Sequence, residues 1–265
     1  MSFSIPTLRA YPIKIASAGG TASTLLLHFD EVSTTVNDSS ANNVSVSYYS
    51  YAGTATSVNT YSKFGAGSFY NAPGFANITK SSLFDFAAGN FTIDFWYKPY
   101  FASDINSTAV IQMFHFHSNL FNQSSAVLPG IGLRRNSRTS NEFRLQISSN
   151  GSTFDIDAVT SSAGLFDGVV GSADTSNIEP WRHIALERYS NNIYFYIDGT
   201  ITYSAAYTNS IYNNSMYNLG FGQCWVATYD SNNTTTAYYD EFRIVKGTAM
   251  YQGANFTPRT SAYTS

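Results

Sequence analysis

Few residues in this chain are of types that do chemistry, and their spacing narrows what they can do. Asp155-Ile156-Asp157 sets two carboxylates at i and i+2, so an extended strand would show both on one face. Two acids held at a fixed separation are the minimum for general acid–base or glycosidic chemistry. His115-Phe116-His117 has the same spacing. Two imidazoles on a strand face can chelate zinc, but a third ligand and a bound water would be needed for catalysis. Asp30 ends one apolar run and Asp240 opens another, and carboxylate oxygens suit a hard cation such as Ca2+. Tyr48, Tyr49, Tyr51, Tyr194, Tyr196, Tyr238 and Tyr239 occur in runs whose alternate positions are already apolar. Such rings stack on sugars or anchor protein interfaces at little entropic cost.

Those residues need a scaffold, and composition points to a β one. The chain has 265 residues, 43% hydrophobic and 16% aromatic, which is ample for a core, while only 12% are charged. The polar remainder is Ser, Thr, Asn and Gly, which suits exposed strands and turns and disfavours long surface helices. A net charge of −3 provides no electrostatic footprint for nucleic acid. The single cysteine, Cys224, excludes an intrachain disulfide framework and reads as a small buried residue. No apolar run approaches the roughly 20 residues that span a bilayer. Arg9, Pro6 and Pro12 interrupt the apolar start, so a secretory signal is not expected. The expectation is a soluble protein made in a reducing compartment.

The clearest local signal is Trp181 to Thr200. Two alternating runs flank Ser190-Asn191-Asn192, and Asp198-Gly199 turns the chain again, which predicts a hairpin at the middle of a large antiparallel sheet. Arg182 and Arg188 are expected to end its first run with charge. Phe91 to Tyr97 alternates as well, with Phe91, Ile93, Phe95 and Tyr97 on one face, and Pro99 is expected to stop it. Further strands are expected at 25–29, 44–51, 68–70, 75–79, 110–116, 130–134, 142–147, 201–205, 217–221 and 238–245. Residues 161–178 read as a long loop. Arg134, Arg135 and Arg138 mark a basic, solvated turn. Sequons such as Asn77-Ile78-Thr79 arise by chance in so Asn-rich a chain.

Five pieces in order carry a resemblance: LLLHFD at 25–30, KFGAGSFY at 63–70, FTIDFWYKP at 91–99, WRHIALERYSNNIYFYIDG at 181–199 and DEFRIVKGTAMYQGANFTP at 240–258. Together they resemble the laminin-G-like, concanavalin A-like jelly-roll domains common in phage and other virus-encoded proteins. That implies an all-β fold, a two-sheet antiparallel jelly-roll sandwich over residues 21–265, preceded by an extended arm at 1–20. It also implies that the strands bearing Asp30 and Asp240 lie near each other, so that the two acids converge on one Ca2+. Related sandwiches include glucan hydrolases, whose pattern would place a third acid where Val159 stands. Asp155 and Asp157 therefore read as polar strand positions, and no hydrolase activity is expected. The histidine pair, with His28 and His183, reads as packed or hydrogen-bonded imidazoles.

A fold of this kind does not by itself imply a reaction. The expected function is a non-enzymatic virion surface protein, a capsid decoration or a tail or fibre component, made in the host cytoplasm. Its arm would dock on capsid or tail partners through Phe3, Ile5, Leu8, Tyr11, Ile13 and Ile15. The alternative is a glycan-binding adhesin for host surface carbohydrate, dependent on Ca2+ or not. In either setting it is expected to form homo-oligomers or to be held in an assembly.

Overall fold

The computed structural model describes residues 14–15, 22–50, 56–71, 74–79, 81–100, 110–116, 128–135, 142–161, 180–213, 219–222, 224–225 and 236–264. Among these the chain forms strands and a single 3-10 turn, Ser82–Phe84. In order the strands are β1 (Lys14–Ile15), β2 (Leu25–Leu27), β3 (Val46–Ser50), β4 (Thr56–Val58), β5 (Ser68–Tyr70) and β6 (Gly74–Ile78). Then come β7 (Phe91–Tyr100), β8 (Val110–Phe116), β9 (Ile131–Arg135), β10 (Glu142–Ile147), β11 (Ile156–Ser161) and β12 (Arg182–Tyr189). The last are β13 (Asn192–Ile197), β14 (Thr200–Ala206), β15 (Leu219–Phe221), β16 (Cys224–Trp225), β17 (Thr236–Lys246) and β18 (Phe256–Thr257).

Two antiparallel sheets stack as a jelly-roll sandwich. The first runs β14-β13-β12-β7-β17-β5-β4 with β2 added against β17, and the second runs β11-β10-β9-β8-β15-β6-β3 with β16 added against β8. The β12–β13 hairpin forms as its sequence predicts. Ser190 and Asn191 both take positive φ (48° and 61°), as do Asp198 and Gly199 (49° and 77°), the geometry of two-residue hairpin turns. Its place differs from expectation, because β7 and not the hairpin is the central strand. β7 also continues through Pro99. β12 begins at Arg182, opposite Tyr97, so beyond that point β7 is paired on its β17 side only and can carry a residue without an N–H.

Alternation decides what faces the core. Phe91, Ile93, Phe95 and Tyr97 are essentially inaccessible and pack with Ile184, Leu186, Ile193 and Phe195 against the second sheet. Phe95 meets Phe114 edge-on at 5.9 Å and Phe195 meets Phe143 at 5.8 Å across the interface. Each such ring contributes roughly 1.5–3 kcal/mol by burial. Arg188 is a correction. It lies opposite Phe91 and Ile193, so it belongs to the inward set. Fully buried, it closes the end of the core by donating to the carbonyls of Tyr207, Asn209 and Ala87 at 2.9, 2.8 and 3.2 Å.

Over β12 and β13 the outward face of the first sheet is covered by residues 248–263. Tyr251 and Phe256 stack on each other and meet Tyr196 edge-on. Glu187 reaches out of β12 to accept the N–H groups of Tyr251 and Gly253 at 2.7 and 2.9 Å. Gly199 is needed at the hairpin turn, since a Cβ there would stand 1.9 Å from the Phe256 carbonyl. Underneath, a bulge in β17 sets four residues, Asp240 to Arg243, against three on β7, Trp96 to Asp94, with Glu241 at φ 53°. That extra residue sends Phe242 into the core and turns Arg243 outward to meet Asp94.

The arm is placed only at Lys14–Ile15, which pair in parallel with Phe256–Thr257. Of the residues expected to dock on a partner, Ile15 is paired here with Thr257 of the chain's own closing segment. Phe3, Ile5, Leu8, Tyr11 and Ile13 lie outside the described residues.

Candidate functional site

The tyrosines read from the sequence do not form one exposed face. Tyr239 and Tyr196 are fully buried, Tyr239 in the main core and Tyr196 beneath the closing segment. Tyr48 turns inward, stacks on Phe69 at 4.9 Å and shares a 2.6 Å hydrogen bond with Ser57. Tyr194 packs beside Gly253, where a Cβ would stand 2.7 Å from its ring. The Tyr49 side chain and Tyr51 lie outside the described residues. As strands of a filled sandwich, both faces of these segments are covered, and period two alone cannot tell a covered outer face from a free one.

Tyr238 is different, because it is the base of a half-exposed cluster. On the outward face of the first sheet, Lys98 of β7, Tyr238 of β17, Tyr70 of β5 and Thr56 of β4 stand opposite one another in a row. Trp96 and Asp240 form the next row. The loop before β5 folds onto both rows. Tyr61 meets Tyr238 edge-on at 5.0 Å, and Tyr70 stacks on Tyr238 at 4.8 Å. Phe64 meets Trp96 edge-on at 5.8 Å. The Lys98 ammonium lies 5.4 Å from the Tyr61 ring, and the Lys63 ammonium 4.0 Å from Trp96 and 5.4 Å from Phe64. Trp96, Lys98 and Tyr238 are buried, while Tyr61, Lys63, Phe64 and Tyr70 keep part of their surface in solvent. Sequence reasoning missed Tyr61, Lys63, Tyr70 and Lys98, since only sheet register and a loop closing from outside bring them to Tyr238.

Asp30 and Asp240 both hold one loop, residues 63–67. Asp240 Oδ2 accepts the N–H groups of Lys63 and Phe64 at 2.7 and 3.1 Å. Asp30 Oδ1 accepts those of Ala66 and Gly67 at 2.5 and 3.1 Å. Gly65 between them has φ 62°, and a Cβ there would stand 2.2 Å from the Asp30 carboxylate. Burial pushes the Asp240 carboxyl up to about 8, against the two amide bonds that favour its ion. Its Oδ1 is buried with no hydrogen-bond partner. Among the described residues no three His, Cys, Asp or Glu side chains are grouped to hold a metal. Asp240 Oδ2 and Asp30 Oδ1 are already given to loop amides, which leaves a poor oxygen set for a hard cation such as Ca2+.

The other candidates are structural. Asp155 accepts the Tyr207 hydroxyl at 2.9 Å, while Asp157 faces Arg144 and Gln146. Burial would raise Asp155, but hydrogen bonds from Ser149 and Tyr207 hold it below the ordinary carboxylate value. The Arg144 hydrogen bond does the same for Asp157. Neither is raised, as a general acid must be. His115 lies buried over Gly220, where a Cβ would stand 2.4 Å from Nε2, and His117 is outside the described residues. His28 bonds Glu241 at 2.7 Å, and this bond raises its pKa. His183 meets the Tyr263 hydroxyl at 2.8 Å, and burial pushes it down to about 4.

The model of the concanavalin A-like lectin/glucanases superfamily, laminin G type, matches residues 72–250, and the chain belongs to that superfamily. No curated protein sequence matches it. Among solved structures it is similar to the binding domain of Paraclostridial mosquitocidal protein 1 at 16% identity and a TM-score of 0.60, covering 86% of this chain and 50% of that one. It is also similar to the receptor binding domain of botulinum neurotoxin C/D mosaic serotype, at 16% identity and a TM-score of 0.58, covering 86% and 49%. A third is a botulinum neurotoxin type C structure whose cell entry is described as dependent upon interaction with two ganglioside molecules, at 14% identity and a TM-score of 0.59, covering 86% and 49%. This chain spans about half the length of those structures. At such identities the likeness is one of fold, and the domains concerned are binding domains.

Proposed function

We propose that this chain is a non-catalytic recognition module that binds carbohydrate at the cluster of Tyr61, Phe64, Tyr70 and Tyr238. The observation that carries the reading is the partial exposure of three aromatic rings fixed by a sheet row beneath them. Rings held in place lose little entropy when a sugar's apolar face stacks on them. The ganglioside-linked binding domains that share the fold support the same class of ligand. Asp155 and Asp157, tied to separate partners and held below the ordinary carboxylate value, favour binding over hydrolysis. Screening the protein on a glycan array, then titrating the best saccharide into Tyr61→Ala and Tyr70→Ala, tests this. Each variant should weaken binding by roughly tenfold, about 1.4 kcal/mol, with an unchanged melting temperature. Undiminished affinity in both would remove the cluster from the reading, and release of reducing ends from a glucan above background would remove its non-catalytic part.

The setting proposed for the module is a virion surface, on a capsid or a tail. The resemblance of the closing segment 240–258 to phage-type domains favours it. Mass spectrometry of purified particles, counting this chain against the major capsid protein, tests the setting. Hundreds of copies fit a decoration protein, a handful fits a tail or fibre adhesin, and none ends the virion reading.

A further inference from the structure

We infer that the sugar taken at this cluster is an acidic one, and that Lys63 is the residue that selects its carboxylate. The inference rests on the carbohydrate reading above and narrows its ligand class. Lys63 projects from the loop that Asp240 and Asp30 hold through four backbone N–H groups, so its position is fixed by buried anchors. Its ammonium lies 4.0 Å from the Trp96 ring centroid and 5.4 Å from that of Phe64. Among the described residues it makes no hydrogen bond and no ion pair. Ring faces attract a cation but accept none of its three N–H donors in the way an oxygen does. A half-exposed ammonium held against two rings, with its donors unspent, suits an anionic oxygen delivered beside an aromatic surface.

The neighbouring charges agree. Asp240 sits on the same face, opposite Trp96, but its Oδ2 is turned to the backbone N–H groups of Lys63 and Phe64 and not to the Lys63 ammonium. Asp198, the other acid acting on Lys63, is engaged with Arg182 at 2.8 Å. Burial lowers the Lys63 pKa more than these two acids raise it. A ligand carboxylate would reverse that and gain a charge-assisted hydrogen bond. Tyr61 and Tyr70 pack on Tyr238 in the sheet row beside that of Trp96, where the body of the sugar ring would stack.

The probes are 3′-sialyllactose, a glucuronic-acid-terminated disaccharide and lactose, titrated calorimetrically into the full chain at low salt. At least one acidic sugar should bind tenfold or more tighter than lactose, and the difference should shrink as salt is raised. Which acidic sugar wins separates sialic from uronic acids as the source of the carboxylate. Lys63→Gln should bring the acidic sugars to within about twofold of lactose without a change in melting temperature, whereas Lys63→Arg should keep most of the preference. Equal binding of lactose and both acidic sugars would overturn the acidic inference while leaving the carbohydrate reading intact. Binding of no saccharide would overturn both.

Discussion

The two outer faces of the sandwich each carry a bidentate arginine–aspartate pair, and the pairs have little in common beyond their chemistry. On the first sheet, Arg243 bonds Asp94 at 2.9 and 2.6 Å with side chains 6% and 0% exposed, under the lid of residues 248–263. On the second sheet, Arg144 bonds Asp157 with both side chains about a third exposed. Beneath the lid the pair is cut off from solvent, and groups of the lid itself meet it. Tyr251 donates its hydroxyl to Asp94, and the Arg243 guanidinium lies 3.8 Å from the Tyr263 ring. Burial alone would raise the Asp94 carboxyl, but the charge and hydrogen bonds of Arg243, with His183 and the Tyr251 hydroxyl, together hold it below its ordinary value. The same pair of residue types is therefore a fastening in one place and a solvated contact in the other.

The contrast can be broken most strongly at Arg243. Arg243→Met should leave Asp94 as a buried uncompensated charge and lower stability by about 3–5 kcal/mol, seen as a fall in urea midpoint. Adding Asp94→Leu should restore most of that loss, because two apolar groups of similar volume replace the pair. If the double variant is as unstable as the single, the penalty is not electrostatic. Tyr251→Phe removes one hydrogen bond to a charged group and should remove about 1.5–3 kcal/mol. It should also speed hydrogen exchange within residues 248–263 more than elsewhere.

Asp240 gives a pH signature next in size. The folded chain keeps its carboxyl protonated up to about 8, while the unfolded chain ionises it near 3.8. Its contribution is therefore fully present below about 3.8 and is lost as pH rises towards 8. His183, down to about 4 from 6.5, acts in the opposite sense, its contribution being lost as pH falls below 6.5. Melting curves from pH 4 to 8 should show Asp240→Asn gaining on the parent as pH rises. A constant difference would mean that Asp240 is already ionised in the folded chain.

Arg144→Ala, on the open face, should cost no more than about 0.2–1 kcal/mol, and less in high salt. A loss comparable to that at Arg243 would show that the second face is covered too. The smallest effect is expected from EGTA. With Asp30 and Asp240 bonded to backbone amides, chelation should leave the melting temperature where it was, and a fall of several degrees would restore calcium to the site.

Much of the sandwich was legible in the sequence because one covered face leaves a period of two. Phe91 to Tyr97 and the β12–β13 hairpin are plain for that reason. Reading stalled where the period breaks or both faces are filled. The β17 bulge shifts the parity of everything after Asp240, so Arg243 could not be assigned to Asp94 by counting. The tyrosine surface failed for a related cause, since Tyr196 and Tyr239 show the alternation of a free face and lie at 0% exposure.

The sequence by itself determined the strands, the two hairpin turns and the all-β class. Each of these depends on a residue's own conformational preference and on that of its nearest neighbours. The resemblance to jelly-roll domains implied in addition that the strands bearing Asp30 and Asp240 lie near each other. Only the tertiary structure decided which face each ring looks from, that residues 248–263 close one side, and that Lys63 stands over Trp96 beside Tyr61 and Tyr70. Those contacts join segments separated by tens to hundreds of residues. Their register is set by a bulge and by carboxylates that grip loop amides, and no local pattern in the chain encodes either.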